Sequence, residues 1–132
     1  MGKFIIGTDD FGVGSVTYKV DKSKLIIKDL TITGNEEAFD ELSDNDDSDW
    51  SFALYPPELY LRDVSFKLLD GKIEAAITEE IYDDCDVALY LMEHNDVEGV
   101  FTIDQNGVFL FDGVAYISGE EMKLKLEVSL NS

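Results

Sequence analysis

The segment MKLKLEVSL (122–130) alternates without a break: Met122, Leu124, Leu126, Val128 and Leu130 against Lys123, Lys125, Glu127 and Ser129. Successive side chains of a strand point to opposite faces, so this pattern fits a half-buried β-strand. Similar segments, bounded by turn residues, recur along the chain. SVTYKV (15–20) and KLIIKDLTI (24–32) are rich in β-branched residues and are separated by DKSK. LYLRDVSFKLL (59–69), Asp70-Gly71 and KIEAAIT (72–78) read as a hairpin. VFTID (100–104), QNG (105–107) and VFLF (108–111) read as a second, with Asn106-Gly107 able to accept positive φ. VAYIS (114–118), GEE and the last strand make a third. DVALYLME (86–93) is apolar on both faces, as a central strand or a short buried helix is. Together these segments predict a mainly β fold, all-β or α+β with one short helix, as an antiparallel meander forming a barrel or a sandwich.

The exception to alternation is GNEEAFDELSDNDDSDW (34–50). Asn35 is a candidate N-cap for a short helix, EEAFDEL, with Phe39 and Leu42 on one face and acids in the first turn, where the helix dipole favours them. Beyond Leu42 the composition is that of a loop. WSFALYPPELY (50–60) then resumes extended structure, with Pro56-Pro57 excluding a helix. FGVGSV (11–16) has G-x-G but no third glycine and no following helix, so it reads as a turn between strands. With 132 residues, the chain reads as one domain over 1–132, long enough to bury a core without staples.

Charge separates this chain from an ordinary β domain. It carries 29 acids against 10 bases, a net charge of −19. Residues 29–61 hold ten acids and no base; residues 73–122 hold thirteen acids and no Lys or Arg. Such a surface repels nucleic acid and anionic membrane and attracts basic proteins and cations. High acidity also serves solubility alone. No apolar run approaches the length of a membrane span or of a signal-peptide core, and the single Cys85 forms no internal disulfide. Both point to a reducing compartment, the cytosol.

Chemistry-bearing motifs are sparse. DNDDSD (44–49) offers oxygens like the start of an EF-hand loop, but Asp49 replaces the turn glycine and Tyr55 the bidentate glutamate, leaving a solvated acidic loop or a weak divalent site. Cys85 lies between Asp84 and Asp86, which oppose thiolate formation, and His94 follows Glu93 in a setting suited to a surface ion pair. No catalytic set, no zinc set and no cofactor motif emerges. The acids themselves remain, with aromatics beside them. The candidate partner-binding residues are Asp40, Glu41, Asp44, Asp46, Asp47, Asp49 and Trp50 in one stretch. Glu79, Glu80, Tyr82, Asp83, Asp84 and Asp86 make up the other. An acidic rim with aromatic anchors suits a basic partner. The competing reading puts Trp50 and Tyr55 in the core.

ELSDNDDSDW (41–50), ITEEIYDDCD (77–86) and the β-segments around them resemble bacterial toxin-neutralising immunity proteins: small, acidic, cytosolic, without cofactor. The resemblance is one of type, since those proteins span unrelated folds and no diagnostic motif is shared. It implies a non-enzymatic inhibitor that binds and blocks a basic partner, a nuclease toxin domain. Two rivals stand beside it. One is a small-molecule-binding β-barrel or sandwich, supported by eight Phe, six Tyr and one Trp. The other is an enzyme of carboxylate chemistry using Mg²⁺ or Ca²⁺.

Overall fold

The alternating segments become strands of two open sheets. The computed structural model describes residues 2–21, 26–44, 50–65, 68–69, 72–73, 77–81, 87–103 and 106–130. In chain order the elements are β1 (Gly2–Ile6), β2 (Asp9–Asp10), β3 (Ser15–Asp21), β4 (Ile26–Thr33), α1 (Glu36–Ser43), β5 (Glu58–Ser65), β6 (Leu68–Leu69) and β7 (Lys72–Ile73). They continue with β8 (Ile77–Ile81), β9 (Val87–Leu91), β10 (Glu93–Asn95), β11 (Val97–Ile103), β12 (Val108–Ile117) and β13 (Glu120–Ser129). One sheet has the order β2-β1-β13-β12-β11-β8, the other β10-β9-β5-β4-β3, and β6 pairs with β7 alone. Every pairing is antiparallel. Both sheets end in free edges rather than closing on each other, so the mainly β expectation resolves as a sandwich with one short helix.

The strands obey the alternation that announced them. Leu124, Leu126 and Val128 of β13 are buried while Lys123, Lys125 and Glu127 are exposed. They join one apolar cluster with Phe4 and Ile6 of β1, Phe101 and Ile103 of β11, and Phe109 and Phe111 of β12. Leu30 and Ile32 of β4, Leu59 and Leu61 of β5, and Leu89 and Leu91 of β9 supply the opposing sheet. Apolar burial at about 25 cal/mol per Å² makes this cluster the main stabilising term. Within it Phe11 meets Trp50 edge-on with ring centres 5.2 Å apart and lies tilted against Phe39 at 6.3 Å.

Three expectations change. The run 59–78 is not one hairpin. Strand β5 pairs with β4 and β9, and only the short β6 and β7 pair across residues 70–71, which lie outside the described residues. The segments 108–111 and 114–118 are one ten-residue strand, β12, running through Asp112-Gly113. Gly113 lies opposite Gly99 of β11, where a Cβ would overlap the Glu98 carbonyl oxygen and stand 2.7 Å from Gly99 Cα. Two backbones touch there because neither residue carries a side chain. Finally, residues 50–57 are turn and bend, and extended structure resumes only at Glu58.

The turn after β12 is tighter than GEE suggests. Ser118 (φ +52) and Gly119 (φ +80) form a two-residue hairpin loop with positive φ at both positions, and β13 starts at Glu120. Gly107 (φ +77) closes the β11–β12 hairpin.

Asn95 is the buried polar side chain among the described residues. It sits where the chain leaves one sheet for the other: β10 ends at Asn95, Asp96 accepts from Tyr116 N, and β11 begins at Val97. Its Nδ2 donates to Leu89 O at 3.2 Å and Glu93 O at 3.0 Å. Asn95→Leu is expected to lower unfolding free energy by about 1–3 kcal/mol, because two carbonyls lose a donor in a dry corner. Urea unfolding that matches the parent chain would show the corner to be held by the backbone alone.

Candidate functional site

Helix α1 carries the acids that the sequence singles out first. Asn35 caps it: its Oδ1 accepts from Ala38 N at 3.0 Å, satisfying one of the free amides of the first turn. Phe39 is buried against Phe11, and Leu42 packs partly against the core. The remaining acids face outward: Glu36, Glu37, Asp40, Glu41 and the C-cap Asp44 are all exposed. Among the described residues no base pairs with any of them, and the last turn holds no basic residue.

Position along the helix matters. Glu36 and Glu37 sit at the positive end of the macrodipole and stabilise α1. Asp40, Glu41 and Asp44 sit towards its negative end, where a carboxylate is unfavourable by about 0.3–1 kcal/mol. Helix stability therefore does not account for acids there.

The loop that follows is anchored at both ends. Trp50 is buried, and its Nε1 donates to Asp9 Oδ2 at 2.7 Å. Its ring is thus part of the core, as the second of the two readings above has it. Ala53, also buried, donates its N–H to Trp50 O at 3.0 Å. At the other end, buried Pro57 accepts from Gly34 N at 2.8 Å, returning the chain to the start of α1. Between these anchors Phe52, Leu54 and Tyr55 are exposed, so Tyr55 is no core residue.

The second acidic stretch lies elsewhere. Glu79 and Glu80 are placed by their backbone on β8, opposite Phe101 and Val100 of β11. Strand β8 is one edge of the six-stranded sheet and β2 the other. Helix α1 belongs to the β2 side, since Asn35 N donates to Phe11 O just beyond β2. Five strand spacings, about 24 Å, separate those edges, so α1 and the backbone of Glu79 and Glu80 belong to opposite edges of the sheet. Asp46, Asp47, Asp49, Tyr82, Asp83, Asp84 and Asp86 lie outside the described residues, as does Cys85.

For other chemistries the described residues offer little to build on. Among them no three His, Cys, Asp or Glu side chains are grouped to hold a metal ion. The weak divalent site read at 44–49 falls mostly outside them. His94 is exposed, with its ring edge-on to Tyr90 at 5.4 Å. Every buried side-chain nitrogen and oxygen among the described residues has a hydrogen-bond partner, so none is left aimed at a ligand. An open depression of about 340 Å³ is lined by Gly2, Lys3, Val108, Glu127 and Ser129. Among the described residues no helix is long and apolar enough to cross a membrane.

Sequence reasoning missed the companion of the aromatic loop. Leu54 N lies 3.2 Å from Met92 Sδ, which brings the β9–β10 hairpin against residues 50–57. The sequence signal available was the apolar outer face of DVALYLME, where Tyr90 and Met92 are exposed. No family model, no curated protein and no solved structure matches this chain.

Proposed function

We propose that this chain is a non-enzymatic inhibitor that works in the cytosol, binding and blocking a basic partner protein, a nuclease toxin domain. The observation that carries the reading is the outer surface of α1. Five carboxylates stand exposed there, none paired with a base among the described residues, and three of them lie where the helix dipole opposes them. A nuclease must hold a polyanion, so its substrate groove is electropositive, and an acidic helix is a chemical substitute for that substrate. Electrostatic attraction of this kind raises association rates towards about 10⁸ M⁻¹s⁻¹ at low salt.

The test uses purified basic nuclease toxin domains from bacteria, assayed for cleavage with and without this chain. One domain is expected to be inhibited at equimolar ratio, with an association rate that falls steeply between low and physiological salt. The triple charge reversal Asp40→Lys, Glu41→Lys and Asp44→Lys is expected to slow that association by about tenfold or more. The helix should survive, because lysines in its last turn suit the dipole. Circular dichroism checks that. Inhibition indifferent to both salt and charge reversal would overturn the electrostatic mechanism.

A further inference from the structure

Eight large apolar side chains are exposed among the described residues, and five of them fall on two segments in contact. Phe52 is 49 % exposed, Leu54 69 % and Tyr55 69 % on the loop; Tyr90 is 43 % and Met92 49 % exposed on the β9–β10 hairpin. Scattered apolar residues are normal on a surface, but a concentration of them marks a contact site.

The loop holds these side chains out by construction. Trp50, Ala53 and Pro57 point inward and are buried, while Phe52, Leu54 and Tyr55 between them are not. Pro56 and Pro57 fix their own φ angles, so the approach to β5 has few conformations to lose. On the hairpin, Met92 adopts φ +69, a left-handed conformation more usual for Gly or Asn. A long apolar side chain is kept at a turn where a small polar residue would fit more easily.

Carboxylates surround the patch. Glu58 lies directly across from Tyr90 in the β5–β9 ladder, Glu93 at the start of β10 and Asp96 just after it are exposed, and Pro57 O at the end of the loop accepts from Gly34 N, two residues before α1. We propose that Phe52, Leu54, Tyr55, Tyr90 and Met92 form the apolar centre of a docking surface for a basic protein segment that presents aromatic or aliphatic side chains among its lysines and arginines. This deepens the proposed function and rests on its reading that the partner is basic. A second copy of the chain is disfavoured as the occupant, because two molecules of net charge −19 would bring these carboxylates face to face. Apolar centres ringed by charge have a division of labour: the rim governs the association rate, the centre governs how long the complex lasts.

The probe is a phage-displayed library of random 16-residue peptides selected on the intact chain at low salt. Recovered peptides are expected to combine Lys or Arg with Trp, Phe or Leu. Their affinity is expected to fall by about tenfold or more on the triple variant Leu54→Ser, Tyr55→Ser, Met92→Ser. All three side chains are exposed and only the exposed contact of Leu54 N with Met92 Sδ is lost, so the variant should melt close to the parent, which is checked on the same samples. Basic peptides that bind parent and triple variant equally would overturn the docking surface and leave the basic-partner reading intact. Peptides without basic residues would remove that reading and the proposal together. Sedimentation that finds a parent dimer at high salt, absent from the triple variant, would assign the patch to a second copy and overturn the proposed occupant.

Discussion

Trp50→Ala is expected to lower the unfolding free energy by about 3–5 kcal/mol, the range for deleting a buried large aromatic. Against a total stability of about 5–15 kcal/mol, such a loss leaves a substantial unfolded fraction at body temperature. Two contributions are separable. The ring fills the space against Phe11, and its Nε1–H is bound to Asp9 Oδ2. Asp9→Ala removes only the acceptor and is expected to cost about 1–3 kcal/mol, the penalty for an unsatisfied buried donor. In the parent and in Asp9→Ala the single tryptophan reports this site directly through its fluorescence, while Trp50→Ala, which lacks it, is followed by circular dichroism. Urea titration should show a red shift on unfolding of the parent. A cost below about 1 kcal/mol for Trp50→Ala would mean that residues 50–57 contribute nothing to the fold.

Gly113→Ala is expected to be nearly as damaging, at about 3 kcal/mol or more. Its new methyl group would meet backbone on both sides, the Glu98 carbonyl and Gly99 Cα, and backbone in the middle of a ladder has nowhere to go. Gly119→Ala is the control. Nothing lies within 4 Å of a Cβ there, so the substitution bears only the strain of φ +80, about 1–2 kcal/mol. Thermal melts of the two variants should therefore separate clearly, with Gly113→Ala the lower. Equal melting temperatures would mean that β11 and β12 do not cross as closely as their glycine pair implies.

The contrast between those glycines marks the limit of what the chain discloses by itself. The helix at Asn35, the strand at 122–130 and the turn at Gly107 are local: their signals lie within a few residues of each other, and each appears where expected. Asp112-Gly113 misleads because Asp-Gly is a good turn dipeptide. It stays extended because Gly99, on another strand, leaves room for it. The run 59–78 misleads likewise. Strands β6 and β7 on either side of its Asp-Gly do pair, but the longer β5 finds its partners in β4 and β9, which no local pattern names. The candidate site divides in the same way. That the acids of α1 are exposed follows from the spacing of Phe39 and Leu42. That Leu54 meets Met92, and that Trp50 is drawn inward by Asp9, depends on pairings across 38 and 41 residues of sequence.

The pairing of β1 with β13, Gly2 with Val128 at one end and Ile6 with Leu124 at the other, joins the two extremes of the chain. Loop closure over such a span is entropically expensive and comes late, so the order of folding is constrained. The local hairpins β3–β4 and β11–β12–β13 can form as soon as their residues exist. Strand β1 cannot: until β13 arrives, Phe4 and Ile6 have only the two-residue β2 beside them. During synthesis β1 is therefore secured only after β13 has been made, and its apolar face waits until then. Folding in the millisecond-to-second range, typical of non-local β architectures, follows from that wiring.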